Sequence, residues 1–564
     1  MSSTITIPEE LDATQWSQIQ PLYQELLDRK LNCSGCLETL LLDRSNLDAR
    51  TSEAEADLYI NMTCHTDDES CKKAYLDFVE NVEPELKKVG FELDKKIAEC
   101  PFAKDLDQDR YQVLLRALRT SVEMFREENI PIYTEITKLD QSYSEINGAM
   151  TVEFEGEERT MPQMARYLEE TDRDVRMKAW TAIAERRLKD SERINDVFDE
   201  MIKRRHQIAL NAGFDNFRDY QHQKMLRFDY TPVDCEKFHE GAEKVCMPLL
   251  RTLNKERKHE LGVDVLRPWD VAVDTKGRKP LRPFDGADDL IEKTSTLFHK
   301  MDDELGTMFD SMRDGVSLDL ESRKGKAPGG YQYYRPWSRK PFIFMNAAGL
   351  QRDLETMVHE AGHAFHSILC NHEPLLSYRH APMEFCEVAS MSMELLSFPY
   401  LDIFYSEADA DRSQRHHLET LATMIPWIAT IDAFQHWIYT NPEHSRQERT
   451  DKWVELMGRF GPDVDYTGYE DVLAMMWQRQ LHLFGVPFYY IEYGIAQLGA
   501  LQMWIQSKKD PADALAHYKS GLTIGGAKPL PALFEAAGLE FEFGPEMMKG
   551  LMDDVQETLK TLPA

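Results

Sequence analysis

The chain has 564 residues, with 66 Lys or Arg against 98 Asp or Glu and a net charge of −32. That surplus repels phosphate backbones and excludes nucleic acid as a partner; it reads as a solvated acidic surface. No apolar run reaches the roughly eighteen residues of a membrane helix, and residues 1–18 lack the basic-then-apolar pattern of a secretory signal. The nine scattered cysteines fit reduced thiols better than a disulfide framework, so the expectation is a cytoplasmic protein with no membrane partner.

Apolar residues at three- and four-residue spacing predict helices over 16–42, 54–86 and 107–128. Cys33-Ser-Gly-Cys36 has the spacing of a redox or zinc motif, but no second pair follows at finger-like spacing, so incidental cysteines are the better reading. Residues 150–161 alternate and turn at Gly156, which predicts a hairpin near 149–161 running into a helix at Met161 or Pro162. Helices are then expected over 172–212, 232–261 and 288–312. A soft boundary at Ala212 would divide an N-terminal helical region, 1–211, from a catalytic region, 212–564. Between 318 and 346 glycines and prolines bound two β-prone runs, 331–334 and 341–346. A strand just before the next helix could offer a free edge to an extended peptide, although a buried core strand fits the same pattern.

The next helix, over 350–370, carries His359-Glu360-Ala361-Gly362-His363. Two histidines four apart on a helix project about 40° from each other and roughly 6 Å along the axis, so both can reach one tetrahedral zinc. Glu360 between them can accept a proton from water at that metal, which is the working part of a zinc peptidase. Leu354, Met357, Val358, Ala361, Phe365 and Ile368 would bury one face, with the histidines off that stripe. Gly362 inside a helix costs up to about 1 kcal/mol relative to alanine, which suggests a close packing contact. His239-Glu240 and His372-Glu373 lack the second histidine and read as surface polar pairs.

A catalytic zinc takes a third protein ligand. Metzincin spacing would put it at Leu369 and thermolysin spacing at Pro382, and neither residue can ligate. His366 lies about 10 Å along the axis from His359, too far to share the ion, and would line the cleft or support the site. The following segment offers Glu384, Glu387 and Glu394 on roughly one face, and spacing does not choose among them.

These residues resemble the M3 metallopeptidases, specifically the oligoendopeptidase F branch and more distantly the thimet oligopeptidases. The resemblance rests on Gly325-Lys-Ala-Pro-Gly-Gly-Tyr331, Pro341-Phe-Ile-Phe-Met-Asn346, Asp353 with the His359 motif, Phe385-Cys-Glu-Val-Ala-Ser390 and the run His482 to Tyr493, in that order. It implies a mainly α fold: a two-lobed helical metallopeptidase enclosing a deep substrate channel, with a small β element beside the motif helix. It implies one zinc per chain held by His359, His363 and Glu387, with Glu360 as general base. Glu394 would orient a ligand histidine, with Asp353 a weaker candidate whose ordinary reading is a helix N-terminal charge. By composition the aromatic cluster 482–493 reads as core. The resemblance instead makes His482, Tyr490 and Tyr493 contacts to the transition state and substrate, with Tyr489 an off-register alternative. The activity implied is endopeptidase cleavage of short unstructured peptides. An inactive helical peptide-binding protein and a structural zinc protein, with Cys386 as the one suggestive extra ligand, are the alternatives. Leu266-Arg-Pro-Trp-Asp270 and Gly525-Gly-Ala-Lys-Pro-Leu530 also resemble family segments and read as packing.

Overall fold

The structure is a computed structural model that describes residues 4–563. Helices dominate it, with one two-stranded and one three-stranded sheet, so the chain is mainly α. It folds as two compact units. One comprises Met124–Lys279, Arg415–Ile495 and the chain from Glu542 onward; the other comprises the chain up to Glu123, Pro280–Gln414 and Ala496–Phe541. Among the described residues no helix is long and apolar enough to cross a membrane.

In the Met124–Lys279 unit, β1 (Thr151–Phe154) pairs antiparallel with β2 (Glu157–Thr160). Glu155 and Gly156, at φ 54° and 80°, make the two-residue turn whose twist suits a hairpin. Thr160 then caps the helix Met161–Ala165. The 39-residue helix Arg173–Asn211 starts where Asp172 caps it. Its first turn is fastened by Asp270, which is fully buried and accepts from Arg173 at 2.7 Å, from Arg176 at 3.1 Å and from the Arg267 backbone N–H at 3.0 Å. Burial alone would raise that carboxyl, but these donors hold it below the ordinary range. The Leu266-to-Asp270 segment is therefore a clamp on the helix start. The helix predicted over 232–261 is interrupted: Pro232–Gly241 and Met247–Leu261 are joined by a π turn, Ala242–Cys246. His239 is not the surface residue its dipeptide suggested, for it is buried with Nε2 at 2.8 Å from Asp432 Oδ2.

In the other unit, the stretch predicted as one helix over 16–42 is two, Trp16–Asp28 and Ser34–Cys64. Cys33 leaves the helical conformation, and its sulfur accepts the Cys36 N–H at 3.2 Å, so this Cys pair forms a helix start rather than a metal clamp. All nine cysteines are free. Glu69–Asn81 and Glu83–Ala98 follow, and Ile19, Leu26, Leu37, Leu40, Leu93 and Ile97 join these helices in one core. The 288–312 prediction splits likewise at Asp302, which caps Asp303–Asp314 and pairs with Lys519 at 2.8 Å.

The sheet beside the motif is ordered β3 (Leu318–Glu321), β5 (Lys340–Ala347), β4 (Tyr331–Arg335). β5 runs parallel to β3 and antiparallel to β4, and residues 341–345 are buried. The strand entering the motif helix thus has no free edge; of the two readings left by its pattern, the core strand is the one observed. Gly349, at φ 80°, turns the chain from β5 into the helix Gln351–Leu369. Asp353 Oδ2 accepts the Ala348 and Leu350 N–H groups at 2.7 and 2.9 Å, so Asp353 serves the helix start. Leu354, Met357, Val358, Ala361 and Phe365 bury one face as predicted, while Ile368 is half-buried. The partner helix, Met383–Leu396, is buried nearly all round. Gly525 (φ 57°) and Gly526 close on the Tyr378–His380 turn ahead of it, where the Gly526 N–H donates to the Tyr378 carbonyl at 2.8 Å.

The two helices cross at Gly362. A Cβ there would stand 2.6 Å from both the Ala389 carbonyl oxygen and the Ser390 Cα, well inside contact distance and against backbone that cannot rotate away. Gly362→Ala is therefore expected to destabilise the protein by about 1–3 kcal/mol and to weaken metal retention, because the helix bearing Glu387 must move. Thermal unfolding and metal content after dialysis check this; an unchanged melting temperature and full metal retention would contradict the packing argument.

Candidate metal centre

His359 and His363 stand one turn apart on the helix Gln351–Leu369, with ring centroids 5.0 Å apart and planes at 84°. From the crossing helix, Glu387 Oε2 lies 3.5 Å from His359 Nε2 and 3.8 Å from His363 Nε2. Donor atoms around a tetrahedral zinc at about 2.0–2.1 Å lie roughly 3.3 Å from one another, so these three fit one ion with little adjustment. Of the acidic residues that spacing left open, Glu387 is the one that converges on the histidines. Its Oε2 also accepts from Ser390 Oγ at 3.0 Å, one turn on.

Glu394 Oε1 lies 2.6 Å from His359 Nδ1, which fixes that ring with Nε2 directed at Glu387. Burial alone would push His359 down, but the Glu394 hydrogen bond and the charges of Glu394, Glu387 and Glu360 lift it to about 9. His363 goes the other way, pushed far down by burial and by the His359 charge. Glu360 is buried, and that burial, reinforced by Glu387 and opposed by His359, raises its carboxyl to about 7. The Gln332 backbone N–H of β4 faces this carboxyl and opposes the rise. Sequence reasoning passed over Gln332 because a backbone donor leaves no side-chain signature; Ser390 had one, being three residues from Glu387 on a helix.

The converging donors include neither His366 nor Cys386. His366 is buried and packs edge-on to Phe385 with centroids 6.2 Å apart, and burial pushes it down to about 3, so it supports the helix pair. Cys386 Sγ donates to the Ala381 carbonyl at 3.4 Å and supplies no fourth ligand. Glu373, grouped with His372 as a surface pair, is buried and paired with Arg110, while His372 is exposed.

His482, Tyr490 and Tyr493 belong to the Met124–Lys279 unit, where they form a ring cluster. The His482 centroid lies 4.8 Å from that of Tyr490 and 6.1 Å from that of Tyr493; Tyr490 and Tyr493, in the first turn of Tyr490–Lys509, are 5.6 Å apart. Tyr489 stacks 6.2 Å from His482. His482 Nδ1 lies 2.7 Å from Gln480 Nε2, and Trp427 Nε1 donates to Gln480 Oε1 at 3.3 Å. Burial lowers His482 and raises Tyr490, which keeps both neutral and the phenol a donor.

A model of peptidase family M3 matches residues 166–552, and a model of the peptidase M3 N-terminal domain matches residues 9–125. The Oligoendopeptidase F homolog of Borreliella burgdorferi is 25% identical over 452 residues, spanning 76% of this chain and 73% of that protein. Oligopeptidase PepF of Bacillus subtilis is 23% identical over 328 residues, 56% of this chain and 48% of its own. The solved structure of PZ peptidase A with inhibitor 2 superposes at a TM-score of 0.88, with 28% identity and 98% of each chain covered.

The His359 position has a signed consequence. Raised from its ordinary 6.5 to about 9, it stabilises the metal-free protein fully below pH 6.5, and that contribution is lost as pH rises through about 9. Zinc needs the neutral ring. Zinc affinity is expected to climb with pH up to about 9, with close to one proton released from His359 per ion bound near neutrality. Calorimetric titration in buffers of differing ionisation enthalpy measures this. In Glu394→Gln the zinc affinity should fall by about 10–100-fold; affinity independent of pH, or unchanged in the variant, would contradict the assignment.

Proposed function

This chain belongs to peptidase family M3 and is a metalloendopeptidase, and from that premise we propose that it is a zinc-dependent oligoendopeptidase cleaving internal bonds of short, unstructured peptides in the cytoplasm. The observation that carries the reading is the convergence of His359, His363 and Glu387 beside the buried carboxyl of Glu360. Zinc bound by these three would supply Lewis-acid activation of water and of the scissile carbonyl. Glu360, whose carboxyl burial raises above its ordinary range in the metal-free protein, is placed for both halves of a proton shuttle: it would take the proton of the attacking water and deliver it to the departing amine. Glu394 keeps His359 oriented, and Ser390 keeps Glu387 oriented, so neither ligand has to reorganise during turnover. The Gln332 N–H steadies the Glu360 carboxylate from β4. His482, Tyr490 and Tyr493 are proposed as donors to the oxyanion and to substrate; this role rests on the family resemblance.

Glu360→Gln should lower kcat by about 10²–10⁴-fold while zinc content stays at one per catalytic site, measured on a short quenched fluorescent peptide together with metal analysis. Full activity in that variant sinks the mechanism. Tyr493→Phe and Tyr490→Phe, assayed side by side, should separate the oxyanion donor from its neighbour, because loss of the donor lowers kcat by about 10²–10³-fold and loss of the other does not. Full activity in both would remove the phenols from the mechanism.

A further inference from the structure

We propose that His222, Cys235 and His436, in the Met124–Lys279 unit, bind a second, zinc-class cation whose role is structural. One donor atom from each lies within 4.8 Å of the other two, and all three residues are buried. They come from separate helices, Phe217–Lys224, Pro232–Gly241 and Glu407–Thr440, so an ion here would pin three elements at a single point. The set is two imidazoles and a thiol, the ligand types of structural zinc sites.

The unsatisfied polar atoms point the same way. His222 Nδ1, His436 Nδ1 and Asp432 Oδ1 are buried without a hydrogen-bond partner. Orphaned buried polar atoms are uncommon, and three in one cluster point to a shared cationic partner. Asp432 is fully buried, hydrogen-bonded through Oδ2 to His239 Nε2 at 2.8 Å and lying 3.2 Å from His436 Nε2. A carboxylate behind a ligand histidine is the usual outer partner at a metal, and Asp432 stands in that place behind His436.

Charge balance agrees with this. Arg227, 3.5 Å from His222, is already matched by Glu492 at 2.8 Å and donates to the Phe488 carbonyl. That leaves a dication to be balanced by the Cys235 thiolate and the Asp432 carboxylate, for a net charge of zero in the interior. The rings of Phe488 and Tyr230 pack on the imidazoles and keep the cluster dry.

The inference is independent of the peptidase reading, and its test reads out separately. The purified full chain, stripped by chelation and loaded with Co²⁺ alone, is expected to hold two cobalt ions and to show a near-ultraviolet thiolate-to-cobalt charge-transfer band, which a site of two histidines and a glutamate does not produce. His363→Ala should lose one cobalt and keep the band. Cys235→Ser should lose the band and one cobalt, and keep the other. A wild-type chain that binds a single cobalt without the band overturns the proposal, as does a band that survives Cys235→Ser; the wild-type spectrum decides even if that variant does not fold.

Discussion

The contact on which the site depends is the crossing of two helices at Gly362, where the backbone of Ala389 and Ser390 occupies the space a side chain would need. Only that separation brings Glu387 Oε2 to 3.5 Å from His359 Nε2 and 3.8 Å from His363 Nε2. The cost of a glycine inside a helix, about 1 kcal/mol, is small beside the binding energy of a three-ligand metal site. Around the crossing the supports are local: Asp353 ties down the start of one helix, and the Gly526–Tyr378 hydrogen bond closes the turn leading to the other. The sheet contributes a fixed platform, since β5 is bonded on both sides and cannot shift register without breaking two ladders.

Electrostatically the crossing is expensive. Glu360 and Glu387 are each less than a tenth exposed, and both carboxyls are raised, burial being the leading cause. A proton on His359 partly offsets their charge in the metal-free protein. A dication would offset more of it, and a ligand bound only by the folded state stabilises that state in proportion to its occupancy. The same crowding of charge that makes the site costly also tunes it, because a carboxyl held near 7 can both accept and release a proton at neutral pH.

How much of this was legible follows from chain distance. His359, Glu360 and His363 lie within about one turn of a helix and the pattern that buries its opposite face is periodic, so residue spacing carried both the helix and the two candidate ligands on it. Glu387 lies on another helix, and spacing left it level with Glu384 and Glu394; a family resemblance was needed, and the convergence of side chains supplied the geometry. The hairpin at Glu155-Gly156 was readable because its turn chemistry is local. Helix ends were not. The breaks at Cys33 and Asp302 are made by single capping side chains inside continuous amphipathic patterns, where apolar periodicity registers no interruption.

The same reasoning explains why His239 was misread and why the cluster around it left no motif. His222 and Cys235 are thirteen positions apart, and His436 is about two hundred residues further on, so no fixed spacing joins them. A buried Asp432 is invisible in composition, since an acidic chain of this charge offers dozens of carboxylates for the surface. What distinguishes it is environment. A carboxylate with no exposure and imidazoles on two sides must be balanced by something, and a histidine pair alone can do so only by taking protons into an apolar interior. A cation held by Cys235, His222 and His436 would remove that requirement and take up one orphaned nitrogen of each ligand histidine, which is why one physical deficit, counted atom by atom, carries more information here than any pattern along the chain.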